Sequence, residues 1–324
     1  MKYVIKYTGG STPTVDPKLI RTDADIKTAV DEWTNNSELA KETYGHISDW
    51  NTRQVTNMEY LFYEKENFND DISKWDVSNV TSMEEMFTGA KLFNKPLNSW
   101  DVSSVTNMSG MFARTESFNM PLDSWNVPNV KYMGGWTLDS GMFESSVFDQ
   151  PINTKIVTRD GTTFYKAWDV LSVIDMGNMF CGAKFNKPLD KWNVSSVTNM
   201  RYMFKKSSFN MIIDLWDVSN VKYMMGMFEE AQLFNQDIGT WIINDNCNIK
   251  NMFLNSGVTR ETFLPVRPTN PSPEGEYGSG FGIYGNKIAN YFVPSLPEAS
   301  SSEQIKEARD EKDYQRGRRI FTEH

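Results

Sequence analysis

Eight tryptophans recur down the 324-residue chain, at Trp50, Trp75, Trp100, Trp125, Trp168, Trp192, Trp216 and Trp241. Two kinds of chemistry could come from such a row. Indole faces at a fixed spacing could stack the rings of a sugar chain. The residues after the first seven (Asn51, Asp76, Asp101, Asn126, Asp169, Asn193 and Asp217) could form a calcium ladder. Stacked carboxylates about 5 Å apart repel by roughly 1 kcal/mol in water, and a divalent cation relieves that repulsion. Each reading has a structural rival. Apolar neighbours at core spacing point to buried indoles. An Asx-turn to the next backbone N–H satisfies the acids, and asparagine replaces them freely, which a metal site tolerates poorly.

Little else in the chain suggests catalysis. The two histidines, His46 and His324, have no Cys, His or acid at zinc spacing. Residues Gly280, Gly282 and Gly285 spell GxGxxG, but no apolar strand precedes them and no helix is expected after them. N-x-S/T matches at Asn35, Asn79, Asn107 and Asn193 come mostly from the repeat itself, in a coil expected to be packed. No catalytic residue, cofactor site or metal site is therefore expected.

The tryptophans are separated by 25, 25, 25, 43, 24, 24 and 25 residues, and seven are followed eight residues later by methionine. A period of this size marks a solenoid with one supersecondary unit per repeat. Within a unit, Leu97, Trp100, Val102 and Val105 read as a strand. Met83, Met86, Phe87 and Ala90 give an i, i+3, i+4, i+7 face, so a short helix is expected there. Thr81 with Glu84, and Thr56 with Glu59, match the T-x-x-E capping box. An Asn ladder (Asn69, Asn94, Asn119, Asn186, Asn210 and Asn235, with Asp149 in register) closes each turn. The expected class is α/β: about eight coils of strand, short helix and turn, with right-handed crossovers.

Residues 1–45 hold a short strand at 3–7 and a capping helix over 22–42. Thr22 or Asp23 can N-cap that helix, and Ile26, Ala29, Val30 and Trp33 form its apolar stripe. The array spans 46–257. Residues 258–324 form a Pro/Gly/Ser-rich linker and a polar tail, in which Arg316, Arg318 and Arg319 could anchor an acidic partner or simply be solvated. The 43-residue gap carries insertions near 134–141 and 153–165. The second contains KIVTRDGTTFYK, whose Asp160-Gly161 is a hairpin turn signal. Insertions in repeat proteins map to loops on one face, often the binding face, so Trp136, Arg159, Asp160, Phe164 and Tyr165 are the contact candidates.

The net charge of −9 disfavours nucleic acid and polybasic membrane contact. No transmembrane stretch and no secretory signal are expected. Cys181 and Cys247 lie three coils apart, roughly 14 Å at the spacing of stacked strands, too far for a disulfide.

The strings WDVSNVTSMEEMF, WDVSSVTNMSGMF, WNVSSVTNMRYMF and WDVSNVKYMMGMF resemble the BspA-like leucine-rich-repeat family, a bacterial surface protein repeat of about 26 residues. The resemblance covers roughly residues 23–257. It implies a leucine-rich-repeat-like solenoid used for adhesion or protein interaction, at a cell surface or in a virus particle. It departs from the common repeat in placing Val105 where Asn or Cys is usual. Two functions are open: a non-enzymatic scaffold for a protein partner or surface glycan, or a structural component of a particle such as a virion, its tail threaded between neighbours.

Overall fold

The computed structural model describes residues 16–137, 139–158 and 161–258, and the backbone pairing of 282–284 with 287–289. Among the described residues, successive units meet along one column of parallel bridges. The column runs from Asn57 through Ser82, Asn107, Tyr132, Asp175, Asn199 and Tyr223 to Asn248. Tyr132 pairs directly with Asp175, so the long gap adds residues to the surface without adding a layer.

The strand sits elsewhere in the unit than the apolar spacing suggests. Trp100 N–H donates to Leu97 O at 3.0 Å, and Val105 N–H to Val102 O at 3.0 Å. These turns bend the Trp–Val stretch every few residues, so among the described residues only the first unit, at Asn51–Gln54, has a strand in it. Pairing falls instead on the residue before each methionine.

The expected short helix does not form. Met83, Glu85, Phe87 and Gly89 donate their N–H groups to Asn107, Ser109, Met111 and Ala113 of the next unit, at 2.8–2.9 Å. The alternate residues Met86, Thr88 and Ala90 donate three residues back within the unit, at 3.0–3.2 Å. An α-helix needs every N–H directed four residues back. Here Glu85 and Gly89 adopt φ of 49° and 71°, and Tyr202 and Lys206 in a later unit adopt 53° and 56°. Left-handed residues four apart flatten the segment, and every second N–H points along the stack. A side chain in that conformation costs about 1–2 kcal/mol, which the inter-unit bonds offset. The expected capping boxes dissolve with the helix. Thr81 Oγ1 donates to Thr56 O, and the Glu84 carboxylate accepts from Asn107 Nδ2.

The eight tryptophans are 0–3% exposed. Five neighbouring indole pairs stack at 6.0–6.4 Å, among them Trp50–Trp75 and Trp192–Trp216. Each indole N–H also finds a buried carbonyl; Trp192 Nε1 donates to Ile152 O at 2.9 Å. Their faces are closed, which removes the sugar-stacking reading. Beside them runs a second stack of Phe62, Phe87, Phe112, Phe143, Phe180, Phe204, Phe228 and Phe253, at 5.3–5.7 Å.

Polar columns hold the outside of the turns. Asn94 N–H donates to Asn69 Oδ1, Asn119 N–H to Asn94 Oδ1, and the relay continues through Asp149 and Asn186 to Asn235. The acids after tryptophan bind their own turns. Asp76, Asp101 and Asp217 each accept from the N–H and hydroxyl of the serine two residues on. Asn193 does the same with Ser195, which explains why amide and acid interchange. Of the sequon asparagines in the repeat, Asn79 and Asn193 are exposed rather than packed, because the turn columns face outward; Asn35 is exposed at the end of the first cap helix.

The N-terminal cap is two helices, not one: α1 (Ile26–Asn35) and α2 (Ser37–Tyr44). Asn36 leaves helical geometry and caps α2 by accepting Leu39 N–H. The residue before α1 is Asp25, not Thr22 or Asp23, and Asp23 has another task. In the array, Thr81 N–H donates to Thr56 O and Thr106 N–H to Thr81 O. Thr56 has no earlier unit to donate to. Asp23 supplies the acceptor, taking Thr56 N–H at 2.7 Å, Thr56 Oγ1 at 2.6 Å and Asn57 N–H at 3.1 Å. A short strand missed in the sequence, β1 (Ile20–Thr22), pairs parallel with β2 (Asn51–Gln54) and completes the cover.

Partial burial raises the Asp23 pKa, but the bonds from Thr56 and Asn57 outweigh it and hold the carboxyl below its usual value. A depressed pKa contributes stability above the unfolded value that is lost as pH falls through the folded one. Asp23→Ala is expected to cost about 1 kcal/mol at neutral pH, as loss of a cap does. Thermal midpoints of variant and wild type should converge in acid.

Within the segment expected to be irregular linker, β5 (Gly282–Tyr284) pairs antiparallel with β6 (Lys287–Ala289). The middle of the GxGxxG run is thus a strand in a two-stranded sheet. The strand expected at 3–7 and the arginines Arg316, Arg318 and Arg319 lie outside the described residues.

Candidate interaction surface

The insertions between Trp125 and Trp168 make two separate features. The first, residues 134–141, stays in the stack through Gly135, whose N–H donates to Gly177 O at 3.0 Å, and has rejoined it at Ser140, whose O accepts Gly110 N–H at 2.9 Å. It runs as a strap over the units that follow. Asn178 Nδ2 donates to Gly135 O at 3.1 Å, and Arg201 Nη1 donates to Trp136 O at 2.7 Å. The Arg201 guanidinium lies 5.0 Å from the Trp136 ring and 4.9 Å from that of Tyr202. Tyr223 meets Trp136 edge-on at 4.7 Å. Trp136 remains 52% exposed. Asp175 and Asn199 are buried in these units, and Asn199 Nδ2 donates to Asp175 Oδ1 at 2.9 Å.

Glu144 anchors the base of the strap. It is 4% exposed and accepts Gly141 N–H at 3.2 Å. Burial pushes its carboxyl up to about 7, against the opposing backbone bonds from Gly141 and Asp139. Burial, and then the charge of Glu144, push the neighbouring Cys181 thiol up to about 12, so it is a poor nucleophile near neutral pH. Neither cysteine is in a disulfide.

The second insertion folds as a hairpin, with β3 (Lys155–Thr158) antiparallel to β4 (Phe164–Ala167). Side chains alternate across it. Val157 and Tyr165 pack inward on the core, and Tyr165 Oη donates to Ser124 O at 2.6 Å. Lys155 pairs with Asp123 and ties the first strand down. The outward positions hold Ile156, 63% exposed, and Phe164, 68% exposed. The hairpin is therefore rigidly seated with two apolar side chains facing solvent.

The five candidate residues do not converge. Trp136 sits with Arg201, Tyr202 and Tyr223, whereas Tyr165 is fixed on Ser124 and Phe164 points to solvent from the same hairpin. Among the described residues no contact joins the two groups; Arg159 and Asp160 are outside them. Tyr165 is an anchor rather than a free contact. Ile156 was missed, although strict alternation along KIVT would have placed it beside Phe164. Arg201 was missed because nothing local links it to a tryptophan 65 residues earlier. Arg201→Ala is expected to free the strap. Limited proteolysis should cut within 134–141 faster, with a stability loss of about 1 kcal/mol, the scale of an exposed cation–π contact.

His46 serves the cap: its ring accepts Ser48 N–H and packs edge-on against Trp33. Among the described residues no three His, Cys, Asp or Glu side chains cluster as a metal site, and no helix is long and apolar enough to cross a membrane.

These features define a tandem-repeat protein whose regular residues serve the stack. The chain belongs to the family described as Mycoplasma protein of unknown function, DUF285, whose model matches residues 30–153 and again 153–263. The two matches meet at Asn153, where the hairpin insertion begins. No curated protein matches the chain, and no solved structure does.

Proposed function

We propose that this chain is a non-enzymatic, leucine-rich-repeat-like solenoid scaffold that binds a protein partner at the break in its array. The observation that carries the reading is the β3–β4 hairpin. Its inner face is fixed by Tyr165 and Lys155, while Ile156 and Phe164 are held out to solvent. Preordered apolar side chains lose little entropy on binding, and they suit a protein surface better than a glycan. The BspA-like character of the repeats, with adhesion as their implied use, agrees with this reading.

The test is binding by the intact chain to a protein array and a glycan array, beside the double variant Ile156→Ser, Phe164→Ser. Wild type should bind protein targets. The variant should lose at least about tenfold, the effect of about 1.4 kcal/mol, at an unchanged thermal midpoint. Equal binding by both forms, or binding confined to glycans, would overturn the reading.

A further inference from the structure

We propose that residues 314–321 of this chain dock on an acid-rimmed apolar patch formed by the last two tryptophan units. The patch is Ile212, Leu215 and Ile242, which are 59%, 78% and 59% exposed. Single exposed apolar residues are ordinary on a protein surface, whereas a group in two adjoining layers marks a contact site. Ile212 and Leu215 flank one turn, in which Trp216 N–H donates to Ile213 O at 3.2 Å. The next layer stacks directly on it. Trp241 lies 6.2 Å from Trp216, and Thr240 Oγ1 donates to Asp214 O at 2.5 Å. Ile242 follows Trp241 as Asp217 follows Trp216.

The stack does not account for these side chains. Where Ile212 stands, earlier units have Pro96, Pro121, Pro151 and Pro188; where Leu215 stands, they have Lys74, Ser99, Ser124 and Lys191. Ile242 replaces the Asn or Asp that follows the seven earlier tryptophans. It gives up turn bonds of the kind Asp217 accepts from Ser219, at 3.1 and 2.7 Å. At the same outward positions the two units carry Asp214, Asp217 and Asp237 and no base; Lys191 lies one layer back. An apolar centre with an acidic rim suits a short segment that joins arginines to large apolar side chains.

The complement lies outside the described residues, in the sequence YQRGRRIF at 314–321. It holds Arg316, Arg318 and Arg319 beside Ile320 and Phe321, with no acid. Lys306, Arg309 and Lys312, earlier in the same stretch, each adjoin an acid. Arg316 follows Val258, where the described array ends, by 58 residues (316 − 258). At about 3.3 Å per extended residue that length reaches the patch with slack. Tethering gives an effective concentration of about millimolar, which favours this segment over one from another molecule.

The test uses the full chain with a nitroxide attached through Thr322→Cys and reads methyl signals by NMR. Cys247 is buried and burial pushes the Cys181 thiol up to about 12, so near neutral pH the label goes to position 322. The methyls of Ile212, Leu215 and Ile242 should lose at least about half their intensity, because an effective concentration of about millimolar half-fills even a millimolar site. Leu39 and Ile156, also exposed, should keep theirs. Adding Arg316→Glu, Arg318→Glu and Arg319→Glu touches no described residue and should restore the three signals. Full intensity at those methyls without the charge reversal, losses centred elsewhere, or losses that survive it would overturn the proposal. Nitroxide-bearing chain without isotope, mixed with isotope-bearing chain without nitroxide, should show no loss. Loss in that mixture would assign the patch to the tail of a second copy and overturn the same-chain assignment.

Discussion

Replacing Trp192 by alanine is expected to destabilise the protein by about 3–5 kcal/mol, the range for removing a buried aromatic side chain. Three contacts disappear together. The indole stacks on Trp168 at 6.2 Å and on Trp216 at 6.4 Å, and its N–H is the donor to Ile152 O. The loss should also be uneven. Stability in a stacked array is a sum of unit and nearest-neighbour terms, so weakening one interface uncouples the two halves. Urea unfolding of Trp192→Ala should show a lower midpoint and a shallower or split transition. Trp192→Phe keeps a ring in the stack and loses only the indole bond, so a cost near 1 kcal/mol is expected. Equal effects from the two substitutions would mean that stacking adds little.

The second large effect is pH-dependent and centres on Glu144. Its folded pKa of about 7 lies above the ordinary 4.5, so the native state holds a proton that the unfolded chain releases. For a raised carboxyl, the stability contribution is complete below the unfolded pKa and is lost as pH rises through the folded one. Across that window the penalty amounts to about 3 kcal/mol. Glu144→Gln keeps an acceptor for Gly141 N–H and carries no charge. The variant should match wild type near pH 4.5, exceed it by up to that amount at pH 8, and remove most of the slope between. Chemical denaturation at several pH values checks this. Parallel loss of stability in both proteins would show that another group sets the slope.

The sequence revealed the layers better than the turns. Stacking puts Trp50, Trp75 and Trp100 in one repeated environment, so the period, the buried columns and the Asn ladder can be read from spacing alone. Turn geometry cannot. Met83, Met86, Phe87 and Ala90 face one core whether the backbone is α-helical or turns left-handed at every fourth residue. Glycine or asparagine marks some of the left-handed positions, as at Gly89, Gly226 and Asn251, but Glu85, Tyr202, Lys206 and Glu230 occupy the equivalent positions in other units, so no residue type repeats with the turn. Bonds to the next unit hold those residues there, and their acceptors are about 24 positions away in sequence.

The cap and the surface show the same limit. The apolar stripe Ile26, Ala29, Val30 and Trp33 identified a covering helix. The stand-in role of Asp23 did not show, because its partners lie 33 and 34 residues ahead. At the break in the array, Asp160-Gly161 was enough to locate the hairpin. Which of its side chains are anchored, and where the strap is latched, depends on Ser124, Asp123 and Arg201 in other units.

Everything rests on the alternate N–H groups crossing between units rather than closing helices within them. Scalar couplings across hydrogen bonds, measured by NMR on deuterated protein, test this directly. Couplings are expected from the amide nitrogens of Met83, Glu85, Phe87 and Gly89 to the carbonyl carbons of Asn107, Ser109, Met111 and Ala113. Couplings from those nitrogens to carbonyls four residues earlier would contradict the stacked geometry and restore a helix to each unit.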